Sequence, residues 1–362
     1  MKIGVMTSGG DSPGMNAALR AVVRTALRKG HQVSGIRRGY AGLIEGGASL
    51  QPMGWSDVAG ILQRGGTILG SARCQEFRER SGRLQAAANM VRCKLDRLVV
   101  IGGDGSLSGA QLLYEEWESL LAELVEKGEI TAEQASLHPQ LGVVGLPGSI
   151  DNDLPGIDAS IGSDTALHRI VEAVDRISST ADSHQRIFVV EVMGRRCGYL
   201  ALMASLATGA EVAILPESPP GPGWEDVLCQ KLAAARLAGR RASIVLLAEG
   251  ARDTLHNPIT VNQVKQLLES RLHEEVRITI LGHVQRGGAP TAFDRNQSTI
   301  LGAAAVDALE CLGVPVLIGL HGNKACPTPL KECLRRSQAI DEALQRGDEE
   351  RAIELRGPHF AK

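Results

Sequence analysis

The run Gly102-Gly103-Asp104-Gly105 carries the clearest chemistry in the chain. It follows the apolar stretch Leu98-Val99-Val100-Ile101, which reads as a buried strand, and Ser106 is expected to cap an apolar-periodic helix just beyond. Glycines at such a strand-to-helix turn let backbone amides approach an anion, and the helix N-terminus adds the positive end of its dipole. The acid inside the turn changes its meaning. A carboxylate beside a phosphate repels it unless a cation lies between them, so Asp104 implies a magnesium-bound phosphate. Nucleotide chemistry meets that requirement better than nucleotide storage does.

A second turn, Thr7-Ser8-Gly9-Gly10-Asp11-Ser12-Pro13-Gly14, lies between the first strand and the first long helix. It is either a tight βα turn or a second anion-cradling loop, and two such loops at one sheet edge would enclose a polyphosphate. A third segment, Gly145-Leu146-Pro147-Gly148-Ser149-Ile150-Asp151-Asn152-Asp153, leaves a strand and presents two carboxylates and a hydroxyl. Acids at a strand end serve as helix caps or solvated turn residues. The sharper reading is a general base, because a phosphoryl acceptor hydroxyl must lose its proton and an aspartate near the metal can take it.

Cationic positions come next in Ser71-Ala72-Arg73-Cys74, His184-Gln185-Arg186, Met193-Gly194-Arg195, Arg277 and Gly282-His283-Val284-Gln285-Arg286-Gly287-Gly288. A single arginine in a loop is usually a solvated charge. Several at expected strand or loop ends, in a chain of net charge −2, read as phosphate clamps, since a planar guanidinium matches phosphate oxygens bidentately. His283 is either a satisfied core histidine or, beside Arg286 and two glycines, a contact to a phosphate or sugar hydroxyl. Glu249 ends an expected strand and either accepts from sugar hydroxyls or caps the adjoining segment.

These residues need elements to hold them. Strand-like apolar runs recur at 3–6, 33–36, 98–101, 143–146, 187–192, 211–215, 244–248, 278–281 and 314–318. Helical periodicity separates most of them, as in Leu19, Val22, Val23, Ala26 and Leu27, or Leu113, Trp117, Leu120, Leu121 and Leu124, or Ala166, Ile170, Ala173, Val174 and Ile177. Alternation of this kind predicts an α/β fold of mainly parallel sheets flanked by helices, and about nine strands suggest two sheets. Ligands then sit beyond the carboxyl ends of the strands, where the glycine-rich turns fall. Residues 127–140 read as a polar excursion between a helix and a strand, and Pro219, Pro220 and Pro222 as a rigid surface turn.

Composition bounds the partners. A chain of 362 residues suits two domains with full cores. A net charge of −2 and 3% aromatics argue against nucleic acid and against a membrane surface as partners. Seven scattered cysteines without a CxxC suit a reducing compartment and neither a disulfide framework nor a zinc site. Met1 leads directly into a strand, which leaves no signal peptide, and no apolar stretch is long enough to span a bilayer. A cytoplasmic α/β protein is the expectation.

Taken in order, the loops at 7–16, 102–106, 145–153, 193–198 and 281–288 resemble the motif set of 6-phosphofructokinase. The resemblance runs from Met1 to about Lys324, and more weakly into Leu355-Arg356-Gly357-Pro358-His359-Phe360. It implies two Rossmann-like domains with the active site in the cleft between them: a larger ATP-binding domain, residues 1–162 with 286–335, and a smaller fructose 6-phosphate-binding domain, residues 163–285 with 336–362. It implies Asp151 as the base that deprotonates the sugar 1-hydroxyl, Asp153 as a supporting acid, Ser149 at the transferred phosphoryl group, and Arg73 neutralising charge there. Asp104 would hold magnesium on the nucleotide phosphates, the one metal the resemblance implies. Gly10, Tyr40, Arg73, Cys74, Gly103, Asp104, Gly105, Ser106 and Gly109 would line the ATP site. Ser149, Ile150, Met193, Gly194, Arg195, Glu249, Val284 and Gln285 would surround the sugar, with Arg195 also catalytic. Arg186, Arg277, His283 and Arg286 would bind substrate phosphates. In the family, positions Arg186 and Arg277 reach in from a neighbouring subunit, which implies a homo-oligomer with shared sites, most often a homotetramer.

The donor is read from two glycines. Pyrophosphate-using relatives carry aspartate at the position of Gly105 and lysine at that of Gly148, so this chain resembles the ATP-dependent form, with the pyrophosphate-dependent enzyme as the alternative. A catalytically silent sugar-phosphate-binding subunit would have lost Asp104, Asp151 or Arg195, and all three are present. A lipid or NAD kinase would keep 102–105 without needing Arg186, Arg277 and 283–286 together. Residues 116–140 are longer than in compact bacterial members and resemble each half of the eukaryotic enzyme. The family's effector pocket is matched by Arg20, Arg24, Glu211 and Arg240, whereas Ser178 and Ala238 replace expected basic residues and the arginine expected near Gly54 is missing. Loss of cations weakens or changes an anion site.

Overall fold

Strands alternating with amphipathic helices build two separate sheets in a computed structural model that describes residues 1–311, 313–357 and 359–360. In chain order the first unit holds β1 (Lys2–Ser8), α1 (Met15–Arg28), β2 (Gln32–Ile36), α2 (Tyr40–Glu45), β3 (Leu50–Pro52), α3 (Arg80–Arg92), β4 (Arg97–Gly102), α4 (Asp104–Glu126), α5 (Ala132–Ser136) and β5 (Gly142–Pro147). The second holds α6 (Ser163–His184), β6 (Ile187–Val192), α7 (Tyr199–Thr208), β7 (Val212–Ile214), α8 (Trp224–Leu237), β8 (Ser243–Ala248), α9 (Val261–Leu272) and β9 (Val276–Ile280). The chain then returns to the first unit through α10 (Ala292–Glu310), β10 (Val316–His321) and β11 (Lys324–Pro329). Finally α11 (Leu330–Arg346) runs from the first unit into the second, which α12 (Glu349–Arg356) completes.

The first unit comprises Met1–Ser149, Gly156–Gly162 and Gly287–Ser337. Its seven strands run in the order β11-β10-β5-β4-β1-β2-β3, parallel except for the edge strands β3 and β11. The order reverses at β1, with β4 on one side and β2 on the other. Ligands of open α/β sheets bind at such a reversal, outside the carboxyl ends. Helices α1 and α10 cover one face. Leu19, Val22, Val23, Leu301, Ala305 and Val306 pack there with Ile3, Val5, Val99 and Ile101.

The second unit comprises Ile150–Pro155, Ser163–Arg286 and Gln338–Lys362. Its sheet, in the order β7-β8-β6-β9, is parallel throughout. Successive strand residues point to opposite faces. Thus Val190, Val192, Ile244, Leu246 and Ala248 join the cluster of α6 and α7, while Ile187, Val189, Val245 and Leu247 join that of α8 and α9. All the strand ends that carry Met193, Glu249 and Leu281 therefore open on one edge of this sheet.

The α/β class and the two mainly parallel sheets expected from the sequence are what the chain forms. Differences are local. The short strands β3 and β11 have no counterpart among the apolar runs. Strand β11 holds Pro327 and Pro329, tolerable only on an edge, and it comes after a Gly322-Asn323 turn with both residues at positive φ. The polar excursion at 127–140 contains the one-turn helix α5, begun by a capping box between Thr131 and Gln134, and it docks through Trp117 Nε1 donating to the His138 carbonyl at 2.9 Å. Ile150–Pro155 clusters with the second unit rather than with residues 1–162, because Ile150 is fully buried in the cluster of α6 and α7. Pro358 of the C-terminal string, and residues 361–362 at the end of the expected second domain, lie outside the described residues.

Candidate active site

In the first unit the loops after β1 and β4 leave the sheet at one level, since Ser8 pairs with Gly102 in the ladder. A Cβ at Gly102 would stand 2.5 Å from the Ser8 carbonyl oxygen, so only glycine permits this approach. Helix α4 then begins with Gly103 as its N-cap and no side-chain cap, which leaves its first amides directed at the loop region. The expectation that Ser106 caps this helix is corrected here. Ser106 lies within the first turn, and its hydroxyl donates to Ser8 Oγ at 2.9 Å, tying the two glycine loops together.

Asp104 is the first residue of α4, half-buried, and Gly105 beside it is exposed with nothing within 4 Å of an added Cβ. That open space over a helix N-terminus is a cradle a phosphate fits. Among the described residues no three His, Cys, Asp or Glu side chains gather as a cage. One carboxylate beside a phosphate cradle suits magnesium, which binds through one or two carboxylates and substrate phosphates. Tyr40 is buried beneath the same helix. Its hydroxyl donates to the Ser106 carbonyl at 2.5 Å, its ring stacks on Phe77 at 3.9 Å, and a Cβ at Gly109 would lie 3.2 Å from it.

Asn16 shapes the loop that leads to Arg73 and Cys74, donating to the Arg64 and Gly65 carbonyls at 3.1 and 3.2 Å and accepting from Ile68 N–H at 2.8 Å. The Ser71 hydroxyl donates to the Gly9 carbonyl, which brings this loop to the first glycine turn. Arg73 is exposed, Cys74 is half-buried and Gly10 is exposed. At the end of β5, Gly148 N–H donates to the Gly102 carbonyl at 3.0 Å, and a Cβ there would come within 3.1 Å of Gly102 N and 2.8 Å of Met15 Cε. Ser149 is next, buried, its carbonyl accepting from the Ser160 hydroxyl at 2.6 Å.

In the second unit Asp151 is 2% exposed. Arg195 Nε lies 3.6 Å from its Oδ2 and Arg286 Nη2 4.0 Å from its Oδ1. Burial first, then the Asp153 carboxylate, raises the Asp151 carboxyl to about 6, with Arg286 and Arg195 opposing and Glu249 adding a smaller push upward. A carboxylate at that value is still ionised near neutrality and holds a proton better than an ordinary aspartate, as a general base requires.

The loop after β6 is fixed by acceptors from neighbouring strand ends. Glu249 accepts from Gly194 and Arg195 N–H at 3.2 and 2.6 Å, and the fully buried Gln285 accepts from Met193 N–H at 3.1 Å. Gly194 has φ 144° and Arg195 φ 52°, conformations that need such support. Glu249 is therefore a backbone ligand of the Arg195 loop through Oε1, a contact not anticipated from the sequence. His283 and Val284 are exposed on the 3-10 turn Gly282–Gln285, which removes the core-histidine reading.

Arg186 and Arg277 do not join this group. Arg186 precedes β6, Arg277 is the second residue of β9, and both bind Glu275 at the amino end of the sheet. The length of β6, about 20 Å, separates them from Asp151. The effector-like positions show Arg24 over the Trp55 ring at 5.3 Å, next to the missing arginine near Gly54, and Arg240 bound to Glu211 at 3.1 Å. The buried pair Arg356–Glu217 was not expected from the sequence. Glu217 is flanked by Pro216 and, two residues on, Pro219, and a glutamate among prolines carries no signal of burial.

A family model described as "Phosphofructokinase" matches residues 2–309. An ATP-dependent 6-phosphofructokinase of Schistosoma mansoni is 53% identical over 99% of this chain and 46% of its own length. The structure of phosphofructokinase from Saccharomyces cerevisiae superposes with a TM-score of 0.96 at 50% identity, over 99% of this chain and 48% of that one. A pyrophosphate-dependent phosphofructokinase from Marinobacter aquaeolei is similar at a TM-score of 0.75 over 92% of this chain and 84% of that one, with 19% identity, a likeness of fold alone. The chain spans about half the length of the curated relatives it matches.

Proposed function

Because this chain belongs to the phosphofructokinase family, we propose that it transfers the γ-phosphoryl group of ATP to the 1-hydroxyl of fructose 6-phosphate. The observation that carries the reading is the buried Asp151, raised to about 6 and set between Arg195 and Arg286. In this reading the Asp151 carboxylate takes the acceptor hydroxyl's proton as the oxygen attacks. Arg195 holds the acceptor and offsets charge at the transferring group. Arg286 and His283 bind phosphate oxygens, and Met193, Gly194, Ile150, Val284 and Gln285 shape the sugar pocket.

The donor machinery belongs to the first unit. Amides of Gly10, Gly103, Gly105 and Ser106 receive the phosphates, Arg73 and Ser149 meet the transferred group, and Tyr40 and Gly109 shape the nucleotide side. Magnesium on the nucleotide phosphates, held by Asp104, would neutralise charge on the phosphoryl oxygens. Catalysis of this type is positioning plus electrostatic stabilisation, which is what fixed loops and arginines supply.

Arg186 and Arg277, at the far sheet end, fit a role in a neighbouring copy's sugar-phosphate site, within a homotetramer. Seven free cysteines support a reducing, cytoplasmic setting. Among the described residues no helix is long and apolar enough to cross a membrane.

The direct test is Asp151→Ser. Turnover should fall by several orders of magnitude, while the dissociation constant for fructose 6-phosphate stays within about tenfold of its original value. Equal losses in both would make Asp151 a binding residue and overturn its assignment as base.

A further inference from the structure

Arg356 ends α12 with its side chain 5% exposed, beside Glu217 at 1%. Its two terminal nitrogens donate hydrogen bonds, and Nε lies in an ion pair without a hydrogen bond of its own. Nε lies 3.2 Å from Glu217 Oε1, Nη1 donates to the Asp153 carbonyl at 3.0 Å, and Nη2 donates to the Arg196 carbonyl at 3.0 Å. Glu217 in turn accepts Gly198 N–H on both oxygens, at 3.1 and 2.9 Å. All these groups belong to the second unit.

The two carbonyls sit on the two loops that carry the acceptor chemistry. Asp153 stands two residues after Asp151, and Arg196 directly follows Arg195. Both loops contain left-handed backbone, Asn152 at φ 50° and Arg195 at φ 52°, which persists only where surroundings over-determine it. Glu249 and Gln285 secure the Arg195 loop to the strand ends, but their bonds to that loop do not extend to the Asp153 backbone. Arg356 binds both loops with one rigid fork.

A simpler role would be to dock α12. Ala352 and Leu355 already serve that purpose in an apolar cluster with Ile340, Ala343 and Leu344. A buried ion pair adds little net stability over apolar packing. Burial pushes the Glu217 carboxyl up and Arg356 pulls it back, so the two charges depend on each other. Docking alone gives no reason for the guanidinium to span two separate loops.

We propose that Arg356 is a positioning residue that sets the spacing of the Asp151 and Arg195 loops, with Glu217 fixing the plane of its guanidinium. The proposal rests on the reading of Asp151 as the base, and it is built so that the two can fail separately.

The test compares the full chain with Arg356→Met, Arg356→Lys and the double variant Glu217→Gln/Arg356→Met. The double variant removes both buried charges yet keeps an acceptor for Gly198. Arg356→Met should lower kcat by about a hundredfold, as expected when catalytic groups shift by an ångström, with the KM for ATP within about threefold. Arg356→Lys, able to reach one carbonyl, should recover only part of the loss. The double variant should regain the thermal stability lost in Arg356→Met but not its turnover. In both Met-containing variants, amide hydrogen exchange at 152–154 and 194–198 should quicken about tenfold or more while α6 and β8 stay protected. Normal turnover and unchanged loop exchange in the double variant would make the pair merely structural and overturn the proposal. Should the unmodified chain form no product, the reading of Asp151 fails on its own; faster loop exchange would then still support the clamp, and unchanged exchange would refute it.

Discussion

As the proposed base, Asp151 faces two demands that oppose each other. It must be ionised to take a proton, yet removal from water and the neighbouring Asp153 make ionisation costly, and Arg195 and Arg286 return only part of that cost. This fixes the sign of the linkage. A carboxyl whose folded value is raised contributes stability that is complete below its ordinary value near 3.8 and is lost as pH rises through about 6. Asp151→Asn, neutral at every pH, should therefore become more stable than the parent as pH rises through 6, by about 3 kcal/mol once the parent is fully ionised, and equal to it below about pH 4. Thermal unfolding across that range measures it, and a variant less stable at pH 7.5 would contradict the assignment of burial as the main cause. The same value predicts that kcat/KM of the parent falls as pH drops below about 6, where the base is protonated.

At the level of elements, the candidate residues of each unit lie at the carboxyl ends of that unit's own parallel strands. The ladder that pairs Ser8 with Gly102 fixes both glycine loops at once, and Gly148 is pinned against Gly102 by its N–H. These glycines have different reasons. Gly148 is sterically confined, whereas Gly105 faces open space on the first turn of a helix. Gly105→Ala should keep or slightly raise thermal stability, since alanine is the better helix former by up to about 1 kcal/mol, while raising the KM for ATP about tenfold or more as the methyl fills the phosphate cradle. Unchanged ATP affinity would remove Gly105 from the donor site.

Much of this was legible in sequence because it depends on local pattern. Apolar runs ending in glycine turns located nearly every strand end that carries a candidate residue, including 102–105, 145–153 and 282–288. The missing parts depend on distant residues. Ser106 has the composition of an N-cap, but its hydroxyl is taken by Ser8, far away in the chain. Glu249 reads as a sugar-hydroxyl acceptor or a cap, and only the register of β6 with β8 brings it to the Arg195 loop. Arg356 and Glu217 have no periodicity that marks a buried pair. The edge strand β11, polar and interrupted by prolines, lacks the alternation that would announce it.

For the whole molecule, the two units divide the labour by residue. The first holds the loops suited to a nucleotide and magnesium, and the second holds the proposed base and the proposed sugar-phosphate clamps. Arg186 and Arg277 stand at the sheet end away from Asp151, paired with Glu275, a placement that supports their proposed role in a neighbouring copy. This chain spans about half the length of its curated relatives, so its own competence is the question on which everything else depends. The most direct measurement is formation of fructose 1,6-bisphosphate by the purified chain with magnesium, with ATP and pyrophosphate compared as donors. Product with ATP and none with pyrophosphate is the predicted result. Product with pyrophosphate alone would reverse the reading of Gly105 and Gly148, and product with neither donor would contradict the proposed activity of this chain.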